Sequence, residues 1–161
     1  MKEIYEKLSS YNIFNYLFPG VIFALLSKFF VGYDLILDNG FLGAFLFYFL
    51  GMVISRVGSV MIEPLLKKIS FLEFEPYAAF IKASKNDAKV ELLSEVNNTY
   101  RTLVSLFVLL LLSKAYSLLD NRFHFDKGFV YPLLIFSLLL MFLFSYRKQT
   151  NYISKRVKAN I

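Results

Sequence analysis

The sequence predicts an all-α integral membrane protein with four transmembrane helices and a helical cytoplasmic segment between the second and third spans. Three observations predict this class. Hydrophobic residues make up 57% of the 161 residues, above the roughly 45–50% that is usual in soluble domains. The mean hydropathy is +0.54, and the apolar residues form blocks near the roughly 20 residues that cross a bilayer as a helix. Residues 1–161 are expected to form a single membrane domain.

The apolar blocks define the four predicted spans, which cover residues 13–31, 41–62, 103–119 and 129–146. Core helices of a soluble protein are the alternative, but too little chain would remain to cover four of them. The stretch before the first block is charged and has no small-residue cleavage site. We therefore expect the first block to stay in the mature protein instead of serving as a signal peptide.

The distribution of basic residues predicts the orientation of the spans. Thirteen of the 18 Lys and Arg residues lie in the N-terminal stretch, in the segment 65–101 and in the tail 147–161, and only four lie on the opposite side. Because cytoplasmic loops carry the excess of Lys and Arg, both termini and the segment 65–101 are expected in the cytoplasm. Contact with the anionic inner leaflet accounts for the net charge of +6, so a direct nucleic-acid ligand is disfavoured.

The first block opens with "YNIFNYLFPG", residues 11–20, where a proline interrupts the apolar pattern. Pro19 cannot donate to the carbonyl of Asn15, and in lipid that carbonyl needs another partner. This pattern predicts a kinked start of the first helix, with Asn15 and Pro19 at a helix–helix contact; the alternative is that Pro-Gly ends a re-entrant segment. Before it, Ile4, Leu8 and Tyr11 share one face and predict a short amphipathic turn at the membrane surface.

Small residues recur along the second predicted span. Gly51, Ser55 and Ser59 are spaced every four residues, and Gly58 lies beside them. This spacing allows two helix backbones to approach closely, so these residues are predicted to form a packing face. The pattern leaves open whether the partner helix belongs to the same chain or to another copy.

Arg56 is a charge well inside the second predicted span, and three hypotheses explain it. The guanidinium extends to the headgroups, it forms part of a basic ring around a water-filled path or pocket in an oligomer, or it pairs with Glu63 seven residues on. Lys67 lies at i+4 from Glu63, a spacing that favours an ion pair on a helix.

The segment 65–101 contains two predicted helices. Pro76 is expected at the first turn of one. The other carries an apolar stripe of Val90, Leu93, Val96 and Tyr100 and is expected to run into the third span. The stripe needs a cover, either the preceding helix or a partner protein. The tail is expected to be a membrane-surface helix or a solvated end, and the alternative is a docking strip for a soluble partner or an anionic ligand. The basic residues predicted to contact lipid or a partner are Lys67, Lys68, Lys85, Lys89, Arg147, Lys148, Lys155, Arg156 and Lys158.

The sequence offers little for catalysis. It has no cysteine, which excludes disulfides and thiolate ligands. The single histidine, His124, lies near Asp120 and Asp126, but one His with scattered carboxylates favours a plain solvated loop over a metal site. There is no Gly-rich phosphate loop and no inward-facing carboxylate pair in the spans. We expect no enzymatic activity, no cofactor and no metal.

The stretch "LSSYNIFNYLFPG" (residues 8–20) together with the tail "YRKQTNYISKRV" (146–157) resembles small bacterial four-span membrane proteins, including accessory components of antiviral defence loci. The resemblance implies a part in phage defence at the bacterial inner membrane. Two hypotheses follow: a homo-oligomeric sensor or anchor for a cytoplasmic partner, or a pore-forming effector with a path lined by residues such as Asn15, Ser55 and Arg56. Dye leakage from liposomes, with and without Arg56→Ala, separates them.

Overall fold

The computed structural model describes residues 13–159. Within this range the chain is all-helical, as predicted, and no strand is present among these residues. The predicted surface turn around Ile4, Leu8 and Tyr11 lies outside the described residues. We number the helices α1 (residues 13–31), α2 (Gly40–Lys68), α3 (Tyr77–Asn86), α4 (Lys89–Phe123) and α5 (Lys127–Lys158).

Three helices of the described chain, α2, α4 and α5, are long and apolar enough to cross a membrane. The apolar helix Asn15–Val31 in α1 is shorter. These lengths indicate a membrane protein with three candidate spans, while a fourth crossing by α1 stays a prediction. At 1.5 Å per residue, the 35 residues of α4 extend about 50 Å, well beyond a hydrocarbon core of about 30 Å.

The predicted extents of the helices can be compared with the observed ones. As predicted, the helix of the segment 65–101 and the third predicted span form one continuous helix, α4. Pro76 directly precedes α3 as its N-cap residue. Residues 147–158 of the tail continue α5 as one helix, and whether they lie at the membrane surface, in solvent or against a partner stays a prediction.

α1 remains helical on both sides of Pro19, so the stretch 13–20 is not a loop. A π-helical turn, Ile13–Leu17, leads into an α-helical part, Phe18–Leu26, whose first turn contains the proline. A second π-helical turn, Ser27–Val31, ends at Gly32, whose φ of +94° favours glycine. The Gly32 N–H donates to the Ser27 carbonyl at 2.9 Å and closes the helix.

α2 lies at the centre of the bundle and contacts α1, α4 and α5. Its predicted packing face meets helices of the same chain, which answers the question that the sequence left open. A Cβ at Gly51 would collide with the Tyr16 carbonyl of α1, and one at Gly20 with the Phe47 carbonyl of α2. The small apolar core, Val31, Ile54, Leu106 and Leu110, lies between α1, α2 and α4.

Polar side chains join α2 to α4 inside this packing. Ser105 Oγ donates to the Ile54 carbonyl at 2.7 Å, and the hydroxyls of Thr102 and Ser55 lie 3.4 Å apart. These buried hydrogen bonds satisfy polar groups to which lipid could offer no hydrogen-bond partner. α5 is more peripheral: its Phe142 ring lies 6.4 Å from the Phe49 ring of α2.

Candidate functional site

A charged cluster links three helices at one end of the bundle, which we call the basic end. Glu63 of α2 is only 6% exposed. Its carboxylate accepts from Lys67 Nζ at 3.0 Å, from Arg101 Nη1 of α4 at 2.9 Å and from Lys148 Nζ of α5 at 3.3 Å. A buried carboxylate is costly unless it is paired and hydrogen-bonded. Glu63 therefore ties α2, α4 and α5 together.

Lys148 reaches the cluster because α2 leaves a carbonyl without a backbone donor. In the π-helical turn Gly58–Ile62, the Glu63 N–H bonds to the Gly58 carbonyl, five residues back. The corresponding donor for the Ser59 carbonyl would be residue 64, which is a proline and has no N–H. Lys148 Nζ donates to that carbonyl at 2.6 Å and to Ser59 Oγ at 2.9 Å. The π-helical turn of α2 thus provides the acceptor that attaches α5.

Arg56 does not join this cluster. Its Nη2 donates to the Tyr16 hydroxyl of α1 at 3.2 Å, and no carboxylate oxygen of residues 13–159 lies within 4 Å of it. The hypothesis of an Arg56–Glu63 ion pair is therefore wrong, because Glu63 pairs with Lys67, Arg101 and Lys148 instead. Arg56 lines a pocket, but one formed by a single chain.

That pocket, which we call the vestibule, has a volume of about 940 Å³ at the basic end. Its inner part is formed by Tyr16, Ser55 and Arg56, which belong to predicted spans, and by Glu63 and Arg101 of the charged cluster. The residues that close its outer part come from the linker 69–76, from α3 and from the distal parts of α4 and α5: Leu72, Glu73, Phe74, Glu75, Tyr77, Phe80, Ser94, Asn97, Asn98, Gln149, Tyr152 and Lys155.

The vestibule combines donors with an aromatic wall. Tyr77 packs 6.2 Å from Phe80 and 5.7 Å from Tyr152, measured between ring centroids, which joins α3 to α5. On the inner side, Arg101 Nε is buried and has no hydrogen-bond acceptor among the described residues. A buried guanidinium N–H without an acceptor is uncommon, so this atom marks a polar position that residues 13–159 do not fill.

The structure places the predicted packing residues inside the bundle. Asn15 and Pro19 of α1 are buried, as are Gly51, Ser55, Gly58 and Ser59 of α2. Gly58 faces the Arg101 backbone and Ser105 of α4.

The predicted lipid- or partner-contacting cations divide into two groups. Lys67 and Lys148 pair with Glu63, and their contact with lipid or a partner stays a prediction. Lys67 also lies over the Phe74 ring at 3.9 Å. All cations of the predicted set except Lys148, which is half-buried, are exposed: Lys67, Lys68, Lys85, Lys89, Arg147, Lys155, Arg156 and Lys158.

Sequence reasoning missed several residues of the site. The sequence does not predict Tyr16 as a partner for Arg56. It also does not predict Arg101 or Lys148 as partners for Glu63. Thr102 and Ser105 carried a usable signal, because two hydroxyls three residues apart at the start of an apolar block lie on one helix face. Asn39 caps α2 by accepting from the N–H groups of Phe41 and Leu42 and follows the usual preference of that position.

At the opposite end, the residues near His124 serve local structure. Lys127 Nζ pairs with Asp120 at 2.6 Å, and Asp126 accepts from the Gly128 N–H at 2.9 Å. His124 ends α4 with a φ of +51°. Across residues 13–159, no group of three or more His, Asp or Glu side chains is arranged to hold a metal ion.

Comparison of the chain with known protein families, curated proteins and solved structures finds no match.

Proposed function

We propose that the chain is a non-enzymatic, homo-oligomeric membrane protein that acts as a sensor or anchor for a cytoplasmic partner. In this proposal it crosses the bacterial inner membrane four times with both termini in the cytoplasm, and the basic end faces the cytoplasm. One observation carries the proposal: an apolar stripe of α4 lies exposed beyond the predicted third span.

The stripe contains Leu93, Val96 and Tyr100. Leu93 is 66% exposed and Tyr100 is 64% exposed. α3 packs elsewhere on α4, since Tyr77 and Phe80 share the vestibule with Ser94 and Asn97. Val90, the first residue of the predicted stripe, is half-buried, but Leu93, Val96 and Tyr100 are left uncovered by α3. Because these residues precede the apolar block that begins at 103, lipid does not account for their exposure, and a protein partner does.

The sensor role is supported by the continuity of the helices. α4 and α5 each pass from an apolar span into the basic end without a break, and Glu63 joins both to α2. A tilt of a span would therefore move the stripe and the vestibule with it. This is the kind of rigid coupling through which a membrane disturbance can reach a soluble partner.

The rival pore hypothesis receives less support. Asn15 and Ser55 are buried within one chain, and Ser55 contacts Thr102. Of the residues suggested for a pore lining, Ser55 and Arg56 line the vestibule, but this cavity is formed by a single chain. The phage-defence role is supported by the resemblance of residues 8–20 and 146–157 to accessory proteins of antiviral loci.

Photo-crosslinking in living bacteria tests the proposal. We expect a benzophenone amino acid at position 93 to give discrete crosslinked products, either multiples of the 18.7 kDa chain or one reproducible cytoplasmic protein. The same probe at Glu91, which is exposed two residues away, is the matched control. The yield at position 93 should change when an ionophore collapses the membrane potential.

The products at position 93 must also disappear when Val96 is replaced by Lys, which puts a charge into the stripe. Equal labelling at positions 91 and 93, or no product at position 93, would refute a protein partner for the stripe.

A further inference from the structure

Two arginines line the vestibule, and the described residues leave some of their N–H donors unused. Arg56 has the Tyr16 hydroxyl as its polar partner and no carboxylate of the described residues within 4 Å. Arg101 donates from Nη1 to Glu63, and its buried Nε has no hydrogen-bond acceptor among residues 13–159. The two arginines flank the contact between Ser55 and Thr102, so both reach the inner part of the same cavity.

The charges of the vestibule are separated by depth. Glu63 is committed to three cations. The two other carboxylates that line the cavity, Glu73 and Glu75, lie exposed on the linker at its outer part, where water screens them. Among the described residues, no carboxylate other than Glu63 forms an ion pair with Arg56 or Arg101.

We propose that the vestibule binds a phosphate ester, with Arg56 and Arg101 donating to the phosphate oxygens. The guanidinium fork matches phosphate geometry, and charge-assisted bonds of this type are among the strongest in proteins. The Tyr16 hydroxyl, which accepts from Arg56, keeps its own proton to donate. A cavity of about 940 Å³ lies within the roughly 300–1,000 Å³ range of small-molecule sites, and Tyr77, Phe80 and Tyr152 offer an apolar wall to the organic part.

The ester can come from two sources, an anionic lipid headgroup or a soluble phosphate ester. The vestibule suits both, because Tyr16, Ser55 and Arg56 belong to predicted spans, while Asn97 and Lys155 lie beyond them. This inference goes beyond the proposed function and does not depend on a protein partner.

Binding measurements on the full chain in detergent test the inference. The probes are dioctanoyl-phosphatidylglycerol, glycerol 3-phosphate and, as a phosphate-free control, dioctanoylglycerol. We expect saturable binding of at least one phosphate probe and none of the control. Arg56→Gln and Arg101→Lys should each raise the Kd about tenfold or more, the loss expected for one charge-assisted hydrogen bond.

The variants separate binding from folding. Arg101→Lys keeps a cation for Glu63 but lacks the Nε–H, and Arg56→Gln breaks only the contact with Tyr16, so both should retain the wild-type melting temperature. Lys68→Gln removes an exposed cation outside the vestibule and should leave the Kd unchanged.

Binding of the phosphatidylglycerol alone assigns the site to a lipid headgroup, and equal binding of glycerol 3-phosphate assigns it to a soluble ester. Absence of saturable binding by either phosphate probe would overturn the inference. So would an equal loss of affinity in Lys68→Gln, because that result indicates nonspecific charge attraction.

Discussion

Two glycines determine how closely α1 and α2 approach each other. At Gly51 the space for a side chain is filled by the Tyr16 carbonyl, and at Gly20 by the Phe47 carbonyl. Both obstacles are backbone atoms, which cannot move without moving a whole helix. Gly43, on the same helix as Gly51, has its nearest neighbour 3.9 Å from the Cβ position, an ordinary van der Waals contact.

We predict that Gly51→Ala destabilises the bundle and that Gly43→Ala does not. Alanine improves helix propensity by about 1 kcal/mol, but overpacking costs typically about 1–3 kcal/mol, and at Gly51 the second effect should dominate. Thermal unfolding in detergent, followed by circular dichroism, measures both variants. A Gly51→Ala protein as stable as Gly43→Ala would show that the two helices are farther apart than the structure has them.

The charged cluster shows where residue-level prediction ends. The Glu63–Lys67 pair follows from a spacing of four on one helix and was predicted. The pairing of Glu63 with Lys148 joins residues 85 apart in sequence and depends on the docking of α5. No local pattern encodes that contact, which is why Lys148 was assigned to the surface.

At the scale of the element, the π-helical turn Gly58–Ile62 explains how α5 is attached. Pro64 leaves the Ser59 carbonyl without a backbone N–H, and Lys148 supplies the missing donor. π-helical turns of this kind commonly occur at functional sites. In α2 the turn begins at the packing residue Gly58 and directly precedes Glu63, whose carboxylate joins the charged cluster.

We predict that Pro64→Ala loosens α5 from α2. Alanine returns an N–H to the helix, which competes with Lys148 for the Ser59 carbonyl. Spin labels on Lys68→Cys and Ser154→Cys, both exposed positions, should report a longer and broader distance distribution. Pro132→Ala, in the other half of α5, should leave the distribution unchanged. An unchanged distribution in Pro64→Ala would mean that Lys148 is not what attaches α5.

The elements themselves could be predicted better than their ends. The apolar blocks locate α2, α4 and α5 because hydrophobic length is a direct requirement of the bilayer. The blocks mark only the part of a helix that meets lipid, however. α4 begins at Lys89 and α5 ends at Lys158, since charged residues such as Glu, Lys and Arg favour helix as well as leucine does. Much of the vestibule lining comes from these charged extensions, from α3 and from the linker before it, so hydropathy could not reveal the cavity.

At the scale of the whole molecule, the described chain leaves much apolar surface uncovered. The apolar part of α5 is the least buried of the three candidate spans, and its exposed side chains include Phe129, Ile135 and Phe144. In a bilayer this surface meets lipid or another copy of the chain. The basic end carries the charged cluster and the vestibule, while the opposite end has short connections such as residues 124–126.

The four-span topology is tested most directly by single-cysteine labelling in intact cells, because the chain has no cysteine of its own. A membrane-impermeant maleimide should label Asp38→Cys and Arg122→Cys in intact cells. It should label Lys2→Cys, Lys85→Cys and Lys158→Cys only after the inner membrane is permeabilised. Labelling of Lys85→Cys in intact cells would invert the orientation, and labelling of Lys2→Cys together with Asp38→Cys would show that α1 does not cross the membrane.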